Sequence, residues 1–176
     1  MGGDRHHYLV SVAELLRRPA SRKDLVVEVP AHDLTVVDSE VPDGSPITAA
    51  FELESLTDRV VVTGRVRAEW AGTCRRCLAP VGGPLDVAVR ELYQVEPVSE
   101  DAFPFDGEQL DLEPVLREAL MLELPLSPLC RPDCAGLCPT CGINRNEGHC
   151  ECAPAVVDPR WDGLDELKHR LGGNGA

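Results

Sequence analysis

The sequence predicts an α+β fold: an antiparallel β-sheet packed by one or two helices, followed by a cysteine-rich C-terminal segment. Three observations predict it. Apolar and polar residues alternate with a period of two from Ile47 to Trp70, apolar residues recur at helical spacing from Leu112 to Leu120, and six of the eight cysteines lie between Cys130 and Cys152. The 176 residues suffice for one domain, or one domain with a small appendage. The expected division is an α+β body over 1–125, a metal-binding cysteine-rich segment over 126–157 and a short C-terminal helix over 158–171.

Taken in order, Val10 to Arg18 carries apolar residues at 12, 13, 15 and 16, with Ser11 as a cap and Pro19 as a stop, which predicts a short helix. Leu25–Val29 and Leu34–Val37 read as extended stretches, followed by the turn-rich Pro42-Asp43-Gly44-Ser45-Pro46. In the next segment Ile47, Ala49, Phe51 and Leu53 share one face, opposite Thr48, Glu52 and Glu54. Val60, Val62, Val66, Ala68 and Trp70 then share a face, opposite Thr63, Arg65, Arg67 and Glu69. Two such neighbouring segments predict an antiparallel hairpin with one wet face. A third strand is expected from Leu85 to Val89 and on towards Tyr93, with Cys74 and Cys77 in the connection before it. Residues 94–110, rich in acid (Glu96, Glu100, Asp101, Asp106, Glu108), read as a mobile solvated loop that Phe103 and Phe105 could partly dock. A helix over 111–124 follows, with Asp111 as its cap, Pro114 in its first turn and Pro125 as its stop. In the tail, Trp161, Leu164 and Leu167 lie three apart and predict the final helix.

The formal net charge is −13, which argues against a polycation that coats nucleic acid by phosphate neutralisation alone. Only seven aromatic residues are present, too few for a stacking reader of single-stranded RNA. No apolar run has the length of a membrane span, and charges through the first thirty residues leave no signal-peptide core. A cytoplasmic location is therefore expected, where cysteines serve as metal ligands more often than as disulfides.

Cys138-Pro-Thr-Cys141-Gly142 is a C-x-x-C knuckle whose two thiolates can reach one tetrahedral ion, with Gly142 freeing the tight turn. Cys150 and Cys152 arrive after eight intervening residues and can close the site. Zinc favours such soft four-coordinate closure, and a filled shell is structural rather than catalytic, so this is read as a zinc-knuckle segment. Cys130 and Cys134 could replace Cys150 and Cys152, or share a second ion with Cys74 and Cys77. His149 is a possible substitute ligand, and an iron–sulfur cluster is chemically allowed by the same thiolates.

A thioredoxin-like role for Cys74 and Cys77 would need a helix behind the pair, which Pro80, Gly82, Gly83 and Pro84 oppose. Between residues 59 and 76 five arginines face Glu69 alone, so Arg65, Arg67, Arg75 and Arg76 are the candidate RNA-binding residues. The competing reading is that they decorate a wet sheet face and pair with acids. No glycine-rich phosphate loop, Ser/His/Asp arrangement or carboxylate pair suggests catalysis, so no enzymatic activity and no small-molecule substrate are expected.

With these motifs in place, the chain resembles the YceD family, the large-ribosomal-RNA-subunit accumulation proteins. The resemblance rests on Leu15-Leu16-Arg17-Arg18-Pro19, the strand Val62 to Ala68, and Cys74-Arg-Arg-Cys77-Leu-x-Pro80. It continues through the helix start Asp111 to Arg117, the knuckle Cys134 to Gly142, and Asp158-Pro-Arg-Trp161. Arg145 departs from the Asn-Leu-Asn expected there. Some relatives keep the first cysteine pair and lack the later cluster, so the two need not form one obligatory site. The resemblance implies a non-enzymatic factor for accumulation of large-subunit ribosomal RNA, in ribosome assembly or RNA processing, partnered by that RNA or a ribosomal protein. The rival expectation is a zinc-stabilised adaptor that uses its acidic half to bind a basic protein and makes no RNA contact.

Overall fold

The period-two pattern becomes one antiparallel sheet in the computed structural model, which describes residues 8–57, 59–97, 102–152, 164 and 167. The chain divides into two units, Met1–Cys134 and Ala135–Ala176. The first begins with β1 (Leu9–Ser11), α1 (Ala13–Leu16), β2 (Arg22–Pro30), β3 (Leu34–Thr35) and β4 (Ser39–Val41). It continues with β5 (Pro46–Ser55), β6 (Arg59–Thr73), β7 (Pro80–Gln94), β8 (Ala102–Pro104), β9 (Gln109–Asp111) and α2 (Glu113–Glu123).

The topology is a meander in which two strands are broken. β2 pairs with β5 and β3 with β4, so residues 22–35 and 39–55 form one long bent hairpin. Its bend is held where the Ala31 and Gly44 N–H groups donate to Ser45 O and Ala31 O, both at 2.8 Å. One edge of β6 takes β5 and then β4, while β7 pairs along its other edge from Arg59↔Gln94 to Thr73↔Pro80. Every second residue therefore faces inward: Ile47, Ala49, Phe51 and Leu53 from β5, Val60, Val62, Val66 and Ala68 from β6, and Leu85, Val89 and Tyr93 from β7 are all buried. The inward face matches the sequence expectation, with Trp70 half-buried at its end. Gly64 interrupts the apolar row because a Cβ there would overlap the Ala50 carbonyl oxygen and lie 2.7 Å from the Phe51 ring.

α2 covers this face with Val115, Leu116 and Leu120. Asp111 Oδ1 accepts from the Glu113 N–H at 3.0 Å at the helix start, and also from the Tyr8 N–H at 3.1 Å. Arg117 pairs with Glu113 one turn back and donates to His32 O and Asp33 O, tying the helix to the β2–β3 bend.

Two expectations change at the periphery. The helix expected over Val10–Arg18 shrinks to the four residues of α1, and Ser11 belongs to a strand instead of capping it. The backbone of residues 9–11 pairs with 109–111, and the Val12 N–H donates to Glu108 O, so those groups are spent on a long-range ladder. For the same reason the stretch 94–110 is not only a solvated loop. β8 adds to β7 in parallel and β9 meets β1, burying Ala102, Phe105 and Leu110, while Phe103 stacks on Tyr93 at 5.4 Å. Glu100 and Asp101 lie outside the described residues.

In the second unit, Leu137 and Asn144 form a β-bridge, and Asn146 Oδ1 accepts the Ala135 N–H at 2.8 Å. Arg145 contributes to this loop through its backbone, whose N–H donates to Gly136 O at 2.9 Å, so the departure at that position leaves the bond in place. Of the expected tail helix only Leu164 and Leu167 are described, both helical. Trp161 lies outside the described residues.

Candidate metal centres

The eight cysteines form two sets of four: Cys74, Cys77, Cys130 and Cys134 in the first unit, and Cys138, Cys141, Cys150 and Cys152 in the second. Within each set all four sulfurs lie within 4.8 Å of one another, close enough to hold one metal ion. Cys130 and Cys134, which the spacing alone left free to join either partner pair, meet Cys74 and Cys77. Cys74 Sγ stands 3.9 Å from Cys134 Sγ, and Cys77 Sγ 3.6 Å from Cys130 Sγ. His149 is exposed and belongs to neither set.

The first set is built where β6 turns into β7. The full pairing of those strands ends at Thr73↔Pro80 and leaves residues 74–79 to close the turn. In that turn the Cys74 N–H donates to Ala79 O at 2.8 Å and the Leu78 N–H to Cys74 O at 2.9 Å. The second set repeats the pattern: the Cys138 N–H donates to Ile143 O at 2.8 Å and the Gly142 N–H to Cys138 O at 2.9 Å. These are two copies of one knuckle, one at a hairpin tip and one in a loop. The sequence shows the recurrence of paired cysteines and leaves a hairpin-tip zinc knuckle open for Cys74 and Cys77. The shared turn geometry emerges only in the structure, because Leu78 stands where the second copy has glycine.

Both knuckles polarise their first thiol in the same way. Cys74 is lowered to about 6, foremost by the Cys77 backbone N–H and then by that of Cys130. Cys138 is lowered to about 5 by the N–H groups of Cys141 and Thr140. The closing thiols move oppositely: Cys130 is pushed up to about 12 by the adjoining Cys134 and then by burial, and Cys152 to about 12 by Cys141 and then by burial. Four adjacent sulfurs cannot all ionise while nothing positive lies among them, and a cation bound to all four removes that conflict.

The four candidate arginines fall in two places. On the outer sheet face, Arg65 Nε lies 2.7 Å from Asp86 Oδ1 and Arg67 Nε 3.3 Å from Asp86 Oδ2, so two cations share one carboxylate. Arg65 is raised by that hydrogen bond and Asp86 correspondingly lowered. Arg75 and Arg76 sit in the first knuckle and brace it. Arg75 donates to Ser127 Oγ at 2.9 Å, its own N–H reaches Pro128 O at 3.0 Å, and Asp38 Oδ2 lies 3.0 Å from its Nε as an ion pair without hydrogen-bond alignment. Arg76 donates to Cys134 O at 3.0 Å. All four are exposed, and all four are engaged within the chain.

The family model described as "Large ribosomal RNA subunit accumulation protein YceD" matches residues 62–168. The chain belongs to the YceD family. The match spans both cysteine sets, from β6 through the second knuckle. An uncharacterized protein of Mycobacterium tuberculosis is 37% identical over 172 residues, covering 90% of this chain and 80% of the relative. One of Mycobacterium leprae is 36% identical over 134 residues, covering 70% and 60%. "Large ribosomal RNA subunit accumulation protein YCED homolog 1, chloroplastic" of Arabidopsis thaliana is 21% identical over 165 residues, covering 75% of this chain and 51% of that protein. No solved structure matches. Among the described residues, no helix is long and apolar enough to cross a membrane.

Proposed function

We propose that this YceD protein is a non-enzymatic cytoplasmic factor that supports accumulation of large-subunit ribosomal RNA, in ribosome assembly or RNA processing, and that it carries two structural zinc ions. The observation that carries the reading is the use of all eight cysteines in two complete four-thiol sets. Each set fills a tetrahedral shell by itself and leaves no ligand position for a substrate, which is the character of a structural site. The donors fit zinc: zinc–sulfur bonds of about 2.3 Å place sulfurs about 3.8 Å apart in a regular tetrahedron. The pairs at 3.9 and 3.6 Å in the first set bracket that value. Sulfurs this close converge on one ion rather than on the corners of a larger iron–sulfur cluster. The rRNA role is supported by the family description and by the printed name of the Arabidopsis relative.

The partner is large-subunit ribosomal RNA or a ribosomal protein. The engaged state of Arg65, Arg67, Arg75 and Arg76 supports the adaptor alternative, in which the acidic surface binds a basic protein and RNA is not touched. One experiment addresses both readings. The gene is deleted in its host and the ratio of large- to small-subunit rRNA is measured, and the tagged protein is then isolated and its bound RNA and protein identified. A lowered ratio with bound large-subunit RNA is expected. An unchanged ratio removes the proposed function, and a lowered ratio with protein alone favours the adaptor.

A further inference from the structure

We infer that the RNA-facing surface lies in the cleft between α1 and the start of β2, where Arg17 and Arg18 are the leading phosphate contacts. The inference rests on the rRNA reading above and locates its contact. The cleft has a volume of about 590 Å³, and Arg17, Arg18, Arg22 and Lys23 line it, with Glu14 as the single carboxylate among the described residues. In a chain of net charge −13 this is a concentrated positive site.

What separates it from the arginines of β6 and the first knuckle is availability. Arg65 and Arg67 are held by Asp86, while Arg75 and Arg76 brace the knuckle. Within the cleft, Arg22 pairs with Glu52 and Glu54 across to β5, and Lys23 donates to Ser11 O. Arg17 and Arg18 are exposed and, among the described residues, have no side-chain partner. Their donors can be given to a ligand without breaking a bond inside the chain.

The frame that presents them is held by hydrogen bonds. The Ser21 hydroxyl donates to Leu15 O at 2.8 Å, the Ser21 N–H to Arg18 O at 3.1 Å and the Ala20 N–H to Ser55 O at 2.8 Å. Ala20 is held at φ +62°, in the left-handed region, so the turn is fixed by its hydrogen bonds at some conformational cost. Guanidinium groups on a fixed turn suit the bidentate geometry of phosphate oxygens.

The lining also argues for a nucleic acid backbone over an acidic peptide. Among the described residues its one apolar side chain, Leu15, is buried, so they offer no apolar wall to receive a peptide's anchor residues. No aromatic ring among the described residues lines the cleft to stack a base, so the contacts are to phosphates and the recognition is of the strand rather than its sequence.

The test uses the full chain purified with its metal, a large-subunit rRNA fragment as the probe, and mobility shifts at several salt concentrations. Arg17→Glu/Arg18→Glu is expected to weaken binding by about tenfold or more and to lower the salt slope by roughly 1.8 for two duplex phosphate contacts. Metal content and melting temperature are expected to stay unchanged, and Arg17→Gln/Arg18→Gln, with a smaller loss of affinity, guards against misfolding. Arg65→Glu/Arg67→Glu is expected to weaken binding less. Binding by the wild-type protein with an unaltered slope in the Arg17/Arg18 variants overturns the cleft assignment alone. Absence of wild-type binding overturns the RNA reading and the cleft with it. Displacement of the RNA by polyglutamate at equal charge concentration gives the cleft to an acidic protein partner and also overturns the proposal.

Discussion

Leu78 holds in the first knuckle the backbone conformation that Gly142 holds in the second, with φ of +60° against +75°. Each residue follows the second cysteine of its pair, and each closes the turn with the same hydrogen bond to the carbonyl of the first. A leucine in the left-handed region is strained, because its Cβ crowds the following carbonyl, and glycine is not. The side chain of Leu78 is 64% exposed and contributes little packing in return. Leu78→Gly is therefore expected to stabilise the first unit by about 1 kcal/mol. A thermal melt checks it, and a lowered melting temperature would show that the leucine side chain outweighs the strain.

Metal content follows from the two thiol sets. Protein purified without chelator is expected to contain two equivalents of zinc, Cys77→Ser and Cys141→Ser one each, and the double variant none. Elemental analysis gives the count. A wild-type value near one would mean that only one of the sets is a site.

Acid should release the metal, because every ligand must be deprotonated and protons compete with the ion for each sulfur. In each set two thiols are pushed upward, Cys77 and Cys130 in the first and Cys150 and Cys152 in the second. Those pushed furthest, Cys130 and Cys152, are expected to be the ones most dependent on the bound cation for ionisation. Metal release into a colorimetric chelator, followed as pH is lowered from neutral, is expected to rise steadily. Release that does not change with pH would exclude thiolate ligation.

Val62 is completely buried between β5 and β7, and such burial contributes about 1.5–3 kcal/mol. Val62→Asp replaces that gain with an unpaired charge in the core and is expected to unfold the sheet. Gly64→Ala should also destabilise, by about 1–3 kcal/mol, because the added methyl meets the Ala50 backbone, which cannot turn aside, as well as the Phe51 ring. Circular dichroism melts read both, and an unchanged Val62→Asp would mean that the inward face has been assigned the wrong way round.

Tyr93 donates its hydroxyl hydrogen to Asp111 O at 2.7 Å beneath the start of α2. Its ionisation is pushed well above the ordinary phenol value, first by burial and then by the carboxylates of Asp111 and Glu91. The unfolded chain therefore releases this proton at a lower pH than the folded one. The resulting stability is fully present below about pH 10 and falls as the pH rises beyond it. Tyr93→Phe is expected to cost about 1 kcal/mol at neutral pH and to reduce the alkaline decline. Chemical denaturation at pH 8 and pH 11 compares the two, and equal declines would exclude Tyr93 as the source.

The sequence by itself determined the features whose cause is local. The alternation from Ile47 to Trp70 named the buried face because side chains along a strand point alternately to its two sides, whatever the rest of the chain does. The Leu112–Leu120 spacing located α2 on the same ground, and Cys138-Pro-Thr-Cys141-Gly142 declared a knuckle because its geometry is contained in five residues. Tertiary structure decided what depends on register between distant segments. Cys74 and Cys77 meet Cys130 and Cys134 only because β6 and β7 pair to their ends and present the turn to a segment more than fifty residues away. Arg65 and Arg67 find Asp86 because the hairpin places Arg67 opposite it, which separates them from Arg17 and Arg18, unpaired among the described residues. Residues 9–11 became a strand instead of a helix because 109–111 offered a backbone partner. Local propensity is weak beside a hydrogen-bonded ladder, and only the folded chain brings that ladder's two sides together.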